Sequence, residues 1–430
     1  MIFISIGLAV SAAGGVGGGT ILVPALVIIM GFDMKRASPI SNMAIVGGAI
    51  ANAWFNLRKR HPAADRPLID SDLALAMIPL VMGGAVIGTV FAKLLPGYFL
   101  SLLFVLVLVL SGTRTISKGM KMHRAETRNC KVQVQELTSV PTSAKVATVV
   151  HQSEDVSSPS SCGFIDDTED GSACGGGENE TLLKESGSSS DGHGGLGEEE
   201  DILADIIERE RHFSLQKQGV IVVCYLGIVA ASIGGKAVKC GGVAYWLLLL
   251  FEVPWVLAFG FGTAVYLSRQ HGRKLSVNYV FAKGDVQWTQ KTVIRFPLAC
   301  GGAGLIAGLF GVGGGLVTGP LMIEMGVVPE VASATTALMV LYSAAAATVK
   351  FAVFNMISWD WAVLLCVQAF IVTTIAQVVI LGFVRRTGRQ SVVVLCIGAT
   401  ICIGAATMTY QAIKSTIDNA GKPFEANVCK

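Results

Sequence analysis

Gly14-Gly15-Val16-Gly17-Gly18-Gly19 interrupts an apolar run otherwise long enough to cross a bilayer, and nearly the same string returns as Gly311-Val312-Gly313-Gly314-Gly315. Both strings run on to a proline, Pro24 and Pro320, then to Gly31 and Gly326, then to Ala37-Ser38 and Ala332-Ser333. Aligned on the glycines, Gly15 falls against Gly311 and, after a one-residue slip near Pro24, Ser38 falls against Ser333 and Ser41 against Thr336. The chain reads as an internal duplication. Glycines at membrane depth leave backbone amides unpaired, and lipid cannot satisfy them, so they must face protein, water or a ligand. Paired broken helices in two related halves point to the substrate site of a secondary transporter.

Composition agrees. Of 430 residues 52% are hydrophobic and 15% charged, with a mean hydropathy of +0.61, which is outside the soluble range and inside that of multi-pass membrane proteins. Ten apolar windows read as helices: Ile2 to Gly31 (broken), Pro39 to Leu57, Leu73 to Leu94, Tyr98 to Ile116, Gly219 to Gly235, Val243 to Leu267, Ile294 to Met325 (broken), Ala334 to Ile357, Trp359 to Val384 and Ser391 to Ile413. The fold class expected is an all-α polytopic membrane protein with two homologous four-helix repeats, Gly-rich broken helices and about ten transmembrane segments. The first repeat is read over 1–117, a disordered acidic Ser/Gly-rich loop over 118–218, two linking helices over 219–290, the second repeat over 291–414 and a tail over 415–430. An even number of spans separates the glycine strings, so the halves are expected to be parallel repeats about the membrane normal.

The central loop holds 19 of the 30 acidic and 10 of the 33 basic residues, so the remainder carries 11 acidic against 23 basic. Arg58-Lys59-Arg60 and Arg66 follow the second window, and Arg114, Lys118, Lys121, Arg124 and Arg128 follow the fourth. Short basic loops stay in the cytosol, which places the long loop there and, if every window crosses once, both termini as well. In that reading Lys35-Arg36 and Arg385-Arg386-Arg389 fall on the opposite face. Six of the ten cysteines (Cys224, Cys240, Cys300, Cys366, Cys396, Cys402) lie in or beside apolar windows with no CxxC pair, and read as small buried hydrophobes.

A glycine break frees amide donors and brings the positive end of the following half-helix towards mid-membrane, where an anion is favoured. The candidate substrate-binding residues are therefore Gly17, Gly18 and Gly19 with Gly313, Gly314 and Gly315. Ser38, Ser41 and Asn42 open the second window, and Ser333, Thr335 and Thr336 stand at the start of the eighth; they are either helix caps or neutral donors around an oxyanion. Asn52 lies further along the second window, where it can line a path. Lys350, deep in the eighth window, either snorkels or attracts the anion, and Glu252 and Glu324 are the acids in apolar surroundings that could partner it or carry a coupling proton. The glycines are not a P-loop, since no Lys-Ser or Lys-Thr follows them. Neither HExxH nor GxSxG occurs, so no catalytic residue, metal ligand or cofactor is expected and the chain is read as a non-enzyme.

At these residues the chain resembles the TauE/SafE (TSUP) family of sulfite and organosulfonate exporters. The match is carried by Gly15-Val16-Gly17-Gly18-Gly19 through Pro24 and Gly311-Val312-Gly313-Gly314-Gly315 through Pro320, with helix starts at Ala37-Ser38, Ala332-Ser333, Asp70 to Leu73 and Trp359-Asp360-Trp361. Gly47 to Asn52, Tyr245 to Pro254 and the long loop are similar to the eukaryotic, plant-like branch. The resemblance implies a multi-pass carrier of sulfite, sulfonates or related small sulfur-containing anions; the paired broken helices lead us to expect alternating access. Its partners are then a small anionic substrate, the lipid bilayer and a candidate coupling proton, with no nucleic acid; oligomeric state, and the choice between plasma and endolysosomal membrane, stay open. Two alternatives stand beside it: a non-transporting scaffold that recruits partners through its acidic loop, and an anion channel.

Overall fold

The structure is a computed structural model that describes residues 5, 7–9, 18–61, 65–139, 203–238, 242–277, 279, 281, 284–387 and 391–418. Eleven helices are named: α1 (Gly19–Ile28), α2 (Met34–Leu57), α3 (Ser71–Leu94), α4 (Gly97–Ser139), α5 (Leu215–Ala237), α6 (Val243–Ser276), α7 (Gln290–Phe310), α8 (Gly315–Glu324), α9 (Pro329–Val353), α10 (Trp359–Thr387) and α11 (Ser391–Asp418). Among the described residues no strand is formed, and seven helices are long and apolar enough to cross a membrane: α3, the part of α4 up to Arg124, α5, α6, α7, α9 and α10 up to Val379. The protein is an integral, multi-pass, all-α membrane protein. Large apolar side chains are exposed along α4 (Leu102, Leu106), α6 (Leu250, Phe261) and α10 (Ile371, Ile375), where lipid replaces water as solvent.

α2 is absent from the seven because its serines and asparagines lower its hydropathy. Those polar residues are not turned outward: Ser38, Ser41, Asn42 and Asn52 are all buried. These polar residues of α2 thus face protein.

Glycine lets the helices meet backbone to backbone. α3 and α7 run parallel in a tight register, with Cys300 Sγ 3.5 Å from Met77 Sδ. A Cβ on Gly304 would strike the carbonyl of Val81, and one on Gly308 the carbonyl of Ala85. α2 and α10 are also parallel: Gly47 faces the carbonyl of Cys366, Gly48 faces Thr373 Oγ1, and Gln377 Nε2 donates to Asn52 Oδ1 at 2.7 Å. α4 and α11 are antiparallel, with Gly112 opposite Cys402 and Gly119 opposite Leu395.

These registers overturn one expectation. α9 runs parallel to α3, since Asp70 N at the start of α3 donates to Thr335 Oγ1 near the start of α9, and Lys93 and Lys350 near their ends approach the same Phe354 ring. α8 runs against α9, because Gly314 lies by Ser343 whereas Gly319 and Met322 lie by Thr336. α7 and α8 are therefore antiparallel legs of a hairpin, and 294–325 enters and leaves on one side instead of crossing once as a broken span. The α3 register sets Phe310 level with about residue 87, roughly 10 Å short of the end of α3.

The side on which α2 and α4 end is termed the loop side, and its opposite the far side. With the hairpin counted, α11 ends on the far side, so its C-terminal end does not share a side with the long loop as expected. Because α10 parallels α2, its end, carrying Arg385 and Arg386, returns to the loop side and joins the other basic segments there. The loop boundary also moves. α4 stays helical to Ser139, past the limit expected at 117, and 203–211 is helical too. Residues such as Lys118, Met120, Lys121 and Arg124 are good helix formers and continue α4 beyond its apolar part.

Candidate functional site at the glycine tips

The tip of the α7–α8 hairpin is made by Gly311 and Gly313, at φ 67° and 73°, a left-handed backbone that favours glycine. Helix α2 packs across it. A Cβ on Gly311 would collide with the Ser38 carbonyl, and Ile45 and Val340, on α2 and α9, flank Gly313. The last carbonyls of α7 lack helical donors, and α2 provides them: Ser41 Oγ donates to Gly311 O at 2.7 Å and Ser38 Oγ to Leu309 O at 3.4 Å. The two serines thus cap the C-terminal end of α7, and their hydroxyl protons are engaged by backbone.

The two glycine strings meet. A Cβ on Gly19 would stand 2.5 Å from Val312 Cα and 2.7 Å from Gly311 O, so the start of α1 touches the tip of the other hairpin. The N-termini of α1 and α8, at Gly18 and Gly314, carry no side-chain cap. Their first amides have no carbonyl within the helix, and the dipoles place partial positive charge at both. Beside them, Asn42 is completely buried, and among the described residues neither its Nδ2 nor its Oδ1 has a hydrogen-bond partner. It shares the face of α2 with Ser38, Ser41 and Ile45, the residues that touch the tip. Thr20, second residue of α1, is buried with its hydroxyl in the same state.

The other candidates disperse. Gly17 lies outside the described residues. Thr336 donates to Met322 Sδ at 3.7 Å, behind the tip; Thr335 accepts from Asp70 N, near the loop side; Ser333 is half-buried at the start of α9. Asn52 is engaged by Gln377, ten residues along α2 from Asn42. Lys350 neither snorkels nor stands free: its Nζ is 2.6 Å from Glu252 Oε1 on α6, and Ser232 Oγ on α5 donates to the same oxygen at 2.8 Å. Two residues that sequence reasoning missed, Thr20 and Ser343, lie at the tips. Thr20 follows Gly19 directly, which was a legible signal; Ser343 is one of many small residues in α9, and nothing singled it out.

The sulfite exporter TauE/SafE family matches the chain over residues 1–149 and 204–405, leaving out a segment of the acidic loop. The chain belongs to the sulfite exporter TauE/SafE family. The relatives include two from Arabidopsis thaliana: sulfite exporter TauE/SafE family protein 3 is 28% identical over 99% of this chain and 81% of its own length, and family protein 5 is 27% identical over 93% and 79%. These plant proteins agree with the plant-like resemblance. No solved structure matches the chain. A TauE/SafE membrane protein is of the transporter class and not an enzyme.

This TauE/SafE chain carries a second polar region, on the loop side. Arg66 pairs with Asp285, Lys217 with Asp72, and Lys274 with Glu210, which also accepts from Tyr279 Oη at 2.7 Å. The network joins the α2–α3 connection, the 203–214 segment that returns from the acidic loop, and the stretch leading to α7, around a cavity of about 60 Å³. Burial, with the neighbouring charge of Asp72, pushes the Asp70 carboxyl above its ordinary range, while the carboxylate itself caps α3 through the Asp72 and Leu73 amides. Burial also works upward on Glu210, but Lys274, Tyr279 and Arg66 outweigh it and hold the carboxyl below 4.5.

Proposed function

We propose that the protein is a secondary transporter of small sulfur-containing oxyanions, sulfite or organosulfonates, which bind where the two glycine tips meet. The observation that carries this reading is the buried amide of Asn42, without a partner among the described residues, beside two uncapped helix N-termini. Such a group calls for a ligand or water, and the dipoles favour an anion. Gly18, Gly19, Gly314 and Gly315 supply amides, Asn42 and Thr20 orient, and Ser38 and Ser41 hold the turn. The names of the plant relatives, sulfite exporter TauE/SafE family proteins, support sulfite.

In this reading the repeats are inverted rather than parallel. The second hairpin enters from the loop side; the first is assigned to the far side, where α1 leads into α2, and Gly7 packed against Ile21 supports the same reversal there. Both half-helices have 10 residues, a proline at the sixth position and a left-handed glycine beyond the end, Gly31 and Gly326. The ten windows then become eight crossing helices, α2 to α6 and α9 to α11, and two hairpins. Inverted halves that meet at midplane tips suit alternating access. The loop side, now holding Arg385 and Arg386 as well, is assigned to the cytosol.

The test is uptake of radiolabelled sulfite by proteoliposomes containing the native chain or Gly314→Val. Gly314 has φ −61°, which any residue adopts, so valine there covers the amide without backbone strain. Saturable sulfite flux in the native protein, lost in a folded Gly314→Val variant, is the expected result. No flux of any sulfur oxyanion from folded native protein would favour the scaffold, and flux that follows voltage without counter-exchange would favour the channel.

A further inference from the structure

The Lys350–Glu252 pair lies away from the tips. Its side chains are 4% and 6% exposed, and it ties α9 to α5 and α6, the two helices placed between the halves. Glu324, the other acid in an apolar stretch, ends α8 in an exposed position within electrostatic reach of Lys118 on the loop side. Only Glu252 of the two is buried with a cation.

The pair also has a definite place along α9. Thr336, Val340, Ser343, Ala347 and Lys350 follow helical spacing along one face of α9. Ser343 is at the tip glycine Gly314, and Lys350 is seven residues, roughly 10 Å, nearer the far side. Beyond it the Phe354 ring stands 5.7 Å from Lys350 Nζ and 4.7 Å from Lys93 Nζ, and Lys35 Nζ donates to the Lys93 carbonyl at 3.2 Å. Three lysines thus lie towards the far side, and one of them, Lys350, is paired with a carboxylate.

Resting on the carrier reading above, we infer that Glu252 takes up the proton that accompanies the anion, and that Lys350, released from it, becomes the anion's counter-ion on the far-side route. In the resting state the glutamate carboxylate balances the ammonium. One proton converts that carboxylate to a carboxylic acid, the ammonium keeps its own protons, and one monovalent anion takes the carboxylate's place. A proton without an anion would leave a buried ammonium unpaired, and an anion without a proton would bring two negative charges to one cation. Both are costly in a low-dielectric site, so the two ligands move together and the step carries no net charge. Around Glu252 the groups that tune this exchange are Ser232 on α5, Tyr245 on α6, Lys350 on α9, and Lys93 of α3 across the Phe354 ring.

The test uses the full chain in proteoliposomes, with methanesulfonate as probe because its acid is fully ionised and cannot itself carry the proton, and sulfite run beside it. Two rates are read: anion exchange at equal pH, and accumulation driven by an acidic exterior. For the native protein we expect about tenfold accumulation per pH unit of gradient, the ratio that one proton per anion sets. Glu252→Gln should lose that accumulation while exchange remains measurable. Ser232→Ala keeps both charges and removes only the hydroxyl on the carboxylate, so it reports even if the glutamine variant fails to fold. It should move the pH of half-maximal uptake upward by about half a unit to one unit. Gradient-driven accumulation in Glu252→Gln equal to the native, or an unmoved pH profile in Ser232→Ala, overturns the inference. Native flux that ignores the pH gradient overturns it while leaving the carrier standing; no native flux at all overturns the carrier reading and this one with it.

Discussion

The two polar regions of the molecule are built in opposite ways. On the loop side Arg66, Lys217 and Lys274 each meet a carboxylate, so these charges are paired within the chain, although Gln270 Oε1 and His271 Nδ1 beside the same cavity have no hydrogen-bond partner among the described residues. At the glycine tips the serine hydroxyls are engaged by backbone, but Asn42 and Thr20 are buried without partners among the described residues. Charges that pair with one another are explained by folding. At the tips the unpartnered amide stands beside two uncapped helix N-termini with no carboxylate to offset their partial positive charge among the described residues, and that difference supports the proposal of an anion site there although the loop side holds more charge.

The comparison breaks most visibly if one partner of a loop-side pair is removed. Asp285→Ala leaves Arg66 with its charge largely buried, and should cost about 3–5 kcal/mol. Thermal unfolding in detergent should show a large fall, and the double variant Arg66→Ala/Asp285→Ala a smaller one than the single changes together, because no stranded charge remains. Next comes the packing that holds the tip in place. Gly308→Leu forces a side chain into the Ala85 carbonyl across the α3–α7 contact, with an expected loss on the order of 3 kcal/mol. If Gly308→Leu unfolds no more readily than the native protein, the close α3–α7 contact is wrong, and with it the register that makes 294–325 a hairpin.

That register also shows what could and could not be read from sequence. The apolar windows match the helices closely: Leu73 to Leu94 became α3 and Val243 to Leu267 lies inside α6, because hydrophobic length is a local property. The glycine strings were legible for the same reason, since a left-handed turn at Gly311 needs glycine whatever surrounds it. The direction of α8 was not. An apolar stretch broken by glycines has the same composition whether it crosses or doubles back, and only the contacts with α3 and α9, made by residues far apart in sequence, decide it. The same limit applied to the polar residues. Asn42 and Asn52 sit on one helix with one chemistry, but Gln377, 325 residues away, engages Asn52 and leaves Asn42 open. Lys350 was legible as an anomaly, and its partner, 98 residues away, was not.

Asn42→Leu sharpens the comparison, because stability and function should move apart. Replacing a buried amide that has no protein partner among the described residues by an apolar group of similar size removes a desolvation cost, so stability should change by less than about 1 kcal/mol or rise. Sulfite uptake should fall at least about tenfold, the loss of roughly one charge-assisted hydrogen bond to the anion. A clear destabilisation with unchanged uptake would make Asn42 a structural residue and remove the main support for the site. Acid should act in the contrary sense on the loop side. Glu210 is held below 4.5, so its contribution is fully present above that value and is lost as pH falls through the depressed one. Hydrogen exchange of 203–214 should therefore accelerate below about pH 4.5, with α8 and α9 still protected; simultaneous loss of protection in both regions would argue that the two are one cooperative unit.

The smallest effect is expected where the loop-side network reaches water. Asp65 is 2.8 Å from Arg211 Nε and 3.6 Å from Arg60 Nη1, yet its side chain and those of both arginines are about 60% exposed. At that exposure solvent screens the attraction, and holding two long side chains in place offsets much of what is left, so Asp65→Asn should cost about 0–1 kcal/mol. It differs from Asp285→Ala in exposure more than in chemistry, since both remove a carboxylate from an arginine. A pair of melting curves for these two variants, in low and in high salt, therefore measures how burial sets the worth of each pair: salt should erase what Asp65 contributes and leave the Asp285 loss nearly intact. Equal losses would mean that water reaches Arg66 and Asp285, and the loop side would then be an open surface rather than a closed cluster of paired charges.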